Sequence, residues 1–324
     1  MTTTSPWRPP RVLNGPMSAR LTDIDALNRA FSDAFTERYR RDGMVGVRVP
    51  FLSPTIWRYA IEDADGGAML WRDERDEIVA FNIAHHSGVE GWMGPLAVRP
   101  EWQGTGVGKS VVLAGVEWLR SRRARVIGLE TMPRTMDNIG FYSSLGFVPG
   151  RLTITLTLDA ASVDTPVPLL GALPPRERDE MLAHCLRITR EQMPGYDFTR
   201  ELILTLELGL GDAVLLRRAG ELVGFALFHA APLVEGRSRE ELRVLKMVLC
   251  DQLDVEVMAD LLAGAARRAG TRRVAVRVQG EYLDVYRRLV ARGARVRWTD
   301  LRMTLAGSGE GEAKGGVVLS NWEI

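Results

Sequence analysis

The chain has 324 residues, of which 46% are hydrophobic and 26% are charged, with 42 basic and 41 acidic side chains. This is the composition of a folded globular protein, and the length allows about two domains. The charge balance shows none of the overall basic excess that nucleic-acid-binding proteins carry. No apolar run approaches the ~18 residues of a membrane span, and the N-terminus lacks an apolar leader segment. We therefore expect a cytoplasmic protein that binds neither nucleic acid nor membrane.

Metal and disulfide sites are not indicated by the sequence. The chain has two cysteines, Cys185 and Cys250, and four histidines, and no spacing among them matches a metal motif or a disulfide framework. We expect two reduced thiols and no metal.

The periodicity of apolar residues predicts alternating helices and strands. Residues 1–16, rich in Thr, Pro and Arg, are expected to be loose. The elements then expected in chain order are a helix over 21–41, strands over 68–72, 77–85 and 92–98, a helix over 107–123, a strand over 126–131, a short helix over 137–145 and a strand over 152–158. A helix that begins after Pro174-Pro175 and runs to about residue 192, and a short helix over 282–292, follow in the second half.

An internal repeat divides the chain into two halves. Residues 67–85 align with residues 211–229 without a gap. The identities at this offset are Gly67 with Gly211, Glu77 with Glu221, Val79 with Val223, Phe81 with Phe225, and His85 with His229. The same offset aligns Tyr142 with Tyr286. Two copies of one fold are therefore predicted, with the boundaries 17–158, 159–173 as a linker, 174–306, and 307–324 as a flexible linker and tail.

A glycine-rich loop, QGTGVGKS over residues 103–110, lies between a predicted strand and a predicted helix. A nucleoside-triphosphate loop requires glycine where Gln103 stands, and a dinucleotide loop requires glycine where Lys109 stands. Neither pattern fits well. Glycines at a helix N-terminus nevertheless indicate a phosphate site, because the backbone can approach closely and offers free N–H groups.

A third pattern, Gln/Arg-x-x-Gly-x-Gly/Ala, fits residues 103–108 without a mismatch. Together with the strand Gly94–Val98 and with Asn138, Tyr142 and Gly146-Phe147 further on, it resembles the GNAT superfamily of acyl-CoA N-acyltransferases over about residues 20–158. The resemblance implies an α/β (α+β) chain of two tandem GNAT-like domains, each a mixed central β-sheet flanked by helices.

The resemblance also implies an acetyl-CoA site, with acetyl-CoA as cosubstrate. Its pantetheine arm is expected along the backbone of Leu96, Ala97 and Val98. Its pyrophosphate is expected on the loop residues Gln103, Gly104, Thr105, Gly106, Val107, Gly108, Lys109 and Ser110. Asn138 is expected to contact the arm, although the family more often has asparagine at the position of Thr135. Tyr142 is expected to contact the coenzyme and to act as general acid toward the departing thiolate.

The general base is the least defined residue of the predicted site. Glu130, at the end of its strand, is the first candidate. Glu90, His85 and His86 are weaker ones, and the recurrence of His85 as His229 favours a role in the fold.

The second half lacks the glycine loop, since there is no glycine between Arg243 and Ala263. We therefore expect a degenerate domain that is structural or forms one wall of the substrate cleft. After the Gly-rich segment 307–316, residues 317–324 regain strand-like character. They are expected either to dock on a sheet with Trp322 as anchor or to remain disordered.

The function expected from these features is N-acetyl transfer to a primary amine by direct attack, in the N-terminal half. The acceptor is a small molecule or a peptide, and the protein is a monomer or a homodimer. Two alternatives remain open: a non-catalytic acyl-CoA-binding or sensing protein, and an ATP-binding protein that depends on Lys109.

Overall fold

The computed structural model describes residues 12–161 and 166–322. The first half contains β1 (Asn14–Ser18), α1 (Ile24–Arg41), α2 (Pro54–Asp63), β2 (Ala68–Arg72), β3 (Ile78–Ser87), β4 (Glu90–Val98), α3 (Val107–Ser121), β5 (Val126–Thr131), α4 (Met136–Ser144) and β6 (Phe147–Asp159). The second half contains α5 (Pro175–Gln192), α6 (Thr199–Glu207), β7 (Gly211–Arg218), β8 (Glu221–His229), β9 (Glu241–Leu249), α7 (Val255–Arg268), β10 (Arg273–Gln279), α8 (Leu283–Ala291), β11 (Arg295–Leu305) and β12 (Val317–Ser320). The mixed α/β architecture expected from the sequence is confirmed. None of the helices in these ranges is long and apolar enough to cross a membrane.

One twelve-stranded sheet joins the two halves in the order β1-β2-β3-β4-β5-β11-β6-β10-β9-β8-β7, with β12 paired to β9. The halves exchange their last long strands: β11 pairs with β5 of the first half, and β6 pairs with β10 of the second. The two exchanged strands also pair with each other. A strand of each half therefore completes the sheet of the other half.

The two halves repeat the same pairings on either side of the exchanged strands. Strand β4 runs parallel to β5, and β9 runs parallel to β10. In the antiparallel pairs before them, Asn82 lies opposite Leu96 and Ala226 lies opposite Met247. Because the repeat aligns Asn82 with Ala226, Leu96 of β4 is equivalent to Met247 of β9.

Two features of the first half differ from the sequence expectation. Residues 14–18 are not loose but form β1, which pairs with β2 at the sheet edge. The expected loose residues 1–11 lie outside the described part of the chain. A ten-residue helix, α2, was not expected; it begins with Pro54 and buries Ile56, Trp57 and Tyr59. Such a short helix has too few turns for its apolar stripe to stand out from a loop.

The C-terminal segment docks on the sheet, which confirms one of the two expectations from the sequence. Strand β12 pairs antiparallel with β9, from Val317 opposite Leu249 to Ser320 opposite Lys246. Trp322 then packs against Trp92 of the first half, with ring centroids 5.2 Å apart. The ammonium of Lys246 lies 4.0 Å from the Trp322 ring centre. The tail therefore contacts both halves.

Candidate active site

Strand β4 separates from β5 halfway along its length. The two strands pair from Glu90 opposite Val126 to Met93 opposite Leu129, and no described strand pairs with the β5 side of β4 beyond that point. Pro95 has no N–H to offer a neighbouring strand. Leu96 and Val98 are half-buried, and a side-chain carbon added at Gly94 would meet nothing within 4 Å. We call the space beside Gly94–Val98 the arm gap.

The glycine loop lies directly after the arm gap and before α3. Gly104 and Gly106 have φ values of +75° and +92°, which residues other than glycine rarely adopt. A Cβ added at either position would meet no atom within 4 Å. Within the described residues, the backbone N–H groups of residues 104–108 donate to no protein acceptor, and the first loop-closing bond comes from the Lys109 N–H. Free N–H groups at the positive end of a helix suit an anionic phosphate.

Two of the other loop residues use their side chains to hold the loop in place, and two present theirs to solvent. The Gln103 amide donates to the Val98 carbonyl at 3.0 Å, and the Thr105 hydroxyl donates to the Trp102 carbonyl at 2.6 Å. The first bond holds the loop against β4, and the second holds it against the turn before it. Val107 is buried in the core, whereas Lys109 and Ser110 are exposed at the start of α3. The arrangement therefore leaves backbone N–H groups, one lysine and one serine facing outward.

Helix α4 lies between the end of β5 and the start of α3. Its Phe141 ring would be 3.4 Å from a Cβ at Gly108, and the Asn138 amide is 3.4 Å from the Thr131 hydroxyl. Thr135, which caps α4, has a buried hydroxyl oxygen without a hydrogen-bond partner. The structure therefore places Asn138 and Thr135 beside the end of β5.

Tyr142 is buried on α4, 7% exposed, and its ring packs against Phe141 and Phe147. Burial raises the pKa of its phenol above the ordinary value. The phenol therefore stays protonated at neutral pH, which is the state that a proton donor requires.

Glu130 is held by groups from both halves. It accepts hydrogen bonds from the Thr153 hydroxyl at 2.6 Å and from Arg302 at 2.9 Å, and it also pairs with Arg277. Burial alone would raise the pKa of this carboxyl, but the two arginine charges hold it below its ordinary value. A carboxylate stabilised in this way takes up a proton poorly, which weighs against Glu130 as a general base.

The weaker base candidates lie away from the arm gap or are engaged elsewhere. Glu90 begins β4, about 20 Å of strand from Leu96, and accepts bonds from Trp92 and Ser320. Burial raises the pKa of Glu90. Burial lowers the pKa of His86, and the charge of Arg122 lowers it further. His85 is 2% exposed and bonded on both ring nitrogens.

An open cleft of about 340 Å³ lies beyond the paired ends of β5 and β11. Its walls are Met132, Pro133 and Arg134 from the loop after β5, and Val296, Arg297, Trp298 and Thr299 from β11. The Arg134 guanidinium lies 5.6 Å from the Trp298 ring centre and 3.8 Å from the Asp42 carboxylate at the end of α1. Half of this cleft thus comes from the second half of the chain. The sequence did not indicate it, because nothing in residues 295–305 predicts that this strand enters the sheet of the other half.

The second half differs at both positions equivalent to the predicted coenzyme contacts. Strand β12 occupies the edge of β9 that is equivalent to the arm gap. At the start of α7, the N-cap residue is Asp254, where α3 has Gly106, and the Asp254 carboxylate pairs with Arg218. An acidic side chain that already occupies a helix N-terminus disfavours a phosphate there.

Comparison with known proteins identifies a family that matches the part of the chain with the candidate site. The acetyltransferase (GNAT) family model matches residues 25–147, a range that includes β4, the glycine loop and α4. The family resemblance expected from the sequence is therefore confirmed over these residues. No curated protein matched the chain.

Solved structures share the fold along most of the chain. A protein from Pyrococcus horikoshii, solved as a candidate acetyltransferase, is 18% identical, with 96% of this chain and 94% of that chain covered and a TM-score of 0.63. A GCN5-related N-acetyltransferase from Sphaerobacter thermophilus is 17% identical, with 91% and 95% covered and a TM-score of 0.56. A tandem GNAT protein from the clavulanic acid biosynthesis pathway is 12% identical, with 93% and 100% covered and a TM-score of 0.57. The tandem architecture is therefore one that other chains adopt.

Proposed function

We propose that the protein is an N-acetyltransferase that uses acetyl-CoA and a primary amine, and that its GNAT domain carries the chemistry. The observation that carries the proposal is the meeting of an unpaired strand edge, Gly94–Val98, with the free N–H groups of residues 104–108. An extended arm with a pyrophosphate at one end matches this pair of features. Acetyl-CoA supplies the thioester carbonyl that the amine attacks.

The residues of the GNAT domain each have a defined part in this proposal. The backbone of Leu96, Ala97 and Val98 pairs with the pantetheine arm in the way of an added strand. The N–H groups of residues 104–108 bind the pyrophosphate, with Lys109 and Ser110 beside them. The Leu96 N–H, the next one after that of Gly94 because Pro95 has none, is proposed to stabilise the oxyanion. Asn138 and Thr135 are proposed to hydrogen-bond the arm, and Tyr142 to donate the proton to the thiolate.

We propose that each chain has one coenzyme site. In the second half, β12 fills the place of the arm, and Asp254 stands at the helix N-terminus where the first half offers a site for the pyrophosphate. Residues 245–249 are largely buried under this strand, whereas the equivalent residues of β4 are in part half-buried. This difference in burial is consistent with a structural role for the second half, in which it does not bind acetyl-CoA.

The cleft between the loop after β5 and β11 is the proposed acceptor site. Its volume suits a small molecule or the end of a peptide. The exposed faces of Trp298 and Val296, 41% and 52% exposed, offer an apolar surface for the body of the amine. The second half would then form one wall of the acceptor site through β11.

An assay of thiol release from acetyl-CoA over a panel of primary amines tests the function. We expect at least one amine to be acetylated, and Trp298→Ala to raise the KM for that amine about tenfold, because a stacked ring contributes roughly 1 kcal/mol or more. The KM for acetyl-CoA is expected to stay within twofold. Trp118→Ala, which removes an indole from the far end of α3, is the control for a lost tryptophan. Binding of acetyl-CoA with no transfer to any amine would favour a sensing role instead.

A further inference from the structure

A buried hydrogen-bonded chain connects helix α2 to the point where the arm gap begins. The Asp63 carboxylate lies 2.8 Å from His85 Nδ1, and His85 Nε2 lies 3.2 Å from the Gly94 carbonyl oxygen. Asp63 and His85 are 4% and 2% exposed. Gly94 is the first residue of β4 beyond its pairing with β5. We infer that Asp63 and His85 are positioning residues that hold the arm gap open for acyl-CoA, an inference that rests on the proposed function.

The carbonyl of Gly94 can only accept a hydrogen bond, so His85 Nε2 is the donor to it. One proton lies between His85 Nδ1 and the Asp63 carboxyl oxygen. The bond to Asp63 fixes the ring in the orientation in which the Nε2 N–H faces the Gly94 carbonyl.

The second half provides an internal comparison. Leu245 is equivalent to Gly94, because each lies two residues before the equivalent pair Met247 and Leu96. The Leu245 carbonyl accepts from the backbone N–H of Asn321 at 2.9 Å, directly after β12. In the second half, the carbonyl at the separation point is therefore satisfied by the chain segment that fills the gap.

The histidine at the equivalent position has a different partner on the neighbouring helix. His229 Nε2 lies 2.9 Å from the Thr205 hydroxyl of α6, where His85 has the carboxylate of α2. The helix partner of this histidine is therefore a hydroxyl in the second half and a carboxyl group in the first. The carboxylate–histidine–carbonyl chain occurs in the half whose gap is free.

The comparison gives the physical reason for the pair. A strand edge with an unsatisfied buried carbonyl costs free energy and tends to recruit a neighbouring strand. His85 satisfies the Gly94 carbonyl from within the domain, so that this carbonyl needs no strand in the gap. The edge of Leu96–Val98 stays in position and available to the arm.

His85→Leu and His85→Gln test the inference. Leucine cannot bond the Gly94 carbonyl, whereas the glutamine amide retains an N–H for it. We expect His85→Leu to raise the KM for acetyl-CoA about tenfold, the effect of roughly one hydrogen bond, with the amine KM within twofold of wild type. His85→Gln is expected to restore most of this loss, and Asp63→Asn to fall between them. His229→Gln in the second half is the matched control and should leave both KM values unchanged.

Hydrogen exchange on the ligand-free variants separates this inference from the proposed function. The backbone N–H groups of Gly94 and of residues 96–98 should exchange faster in His85→Leu than in wild type, while those of 245–249 should be unaffected. An unchanged exchange rate and an unchanged acetyl-CoA KM would overturn the positioning role. An equal rise of both KM values, with no rescue by glutamine, would also overturn it and show a merely structural residue. A wild type that binds no acetyl-CoA, with the exchange result as expected, would refute the proposed function alone.

Discussion

Replacing Gly106 by valine is expected to lower the affinity for acetyl-CoA by at least about 100-fold, the loss of two charge-assisted hydrogen bonds at roughly 1.5 kcal/mol or more each. Gly106 caps α3 with φ +92°, and open space surrounds its Cα. A branched side chain there would fill the space in front of the free N–H groups and push the loop away from this backbone conformation. Isothermal calorimetry measures the affinity directly.

Gly270→Val is the matched control for this variant. Gly270 follows α7 with φ +74° and also has open space around it, but it lies in the second half, away from the loop. Both variants should lose about 1–2 kcal/mol of stability from the left-handed conformation. Only Gly106→Val should lose acetyl-CoA. Wild-type affinity in Gly106→Val would remove the phosphate-loop assignment.

Tyr142→Phe is expected to lower kcat about 100-fold, within the range for loss of a general acid. The phenol is buried and its pKa is raised by that burial, so it is a protonated donor in an apolar setting. Phenylalanine keeps the ring packing against Phe141 and Phe147 and removes the hydroxyl alone. The affinity for acetyl-CoA should change by less than about threefold, since the loss falls on the departing thiolate. Steady-state kinetics with a saturating amine measures both quantities.

Tyr286→Phe provides the comparison, because Tyr286 aligns with Tyr142 in the half that lacks the loop. It should leave kcat unchanged. A Tyr142→Phe protein that is as active as wild type would mean that another group, or water, protonates the thiolate.

Local sequence patterns predicted most elements of the first half. Strand β5 and helix α5 have the expected bounds to within one residue, because apolar periodicity and a Pro pair mark their ends. Strand β1 was missed because it is an exposed edge strand without an apolar pattern. The strand exchange between β6 and β11 is set by long-range pairing, which no local pattern records.

Some features of the candidate site could likewise be predicted from local sequence, and others could not. The glycine loop and the strand Leu96–Val98 are contiguous in sequence, so their chemistry could be predicted from residue order and spacing. The environment of Glu130 could not, because Arg277 and Arg302 arrive from the other half. The cleft beside Trp298 and the bond of His85 to the Gly94 carbonyl likewise depend on contacts between distant segments.

Titration of acetyl-CoA into the wild-type chain by isothermal calorimetry tests the central claim most directly. We expect saturable binding with one acetyl-CoA per chain, because the arm gap and the glycine loop occur together in the first half alone. Two molecules per chain would show that β12 and Asp254 do not close the second half. The absence of binding would contradict the acetyltransferase assignment itself.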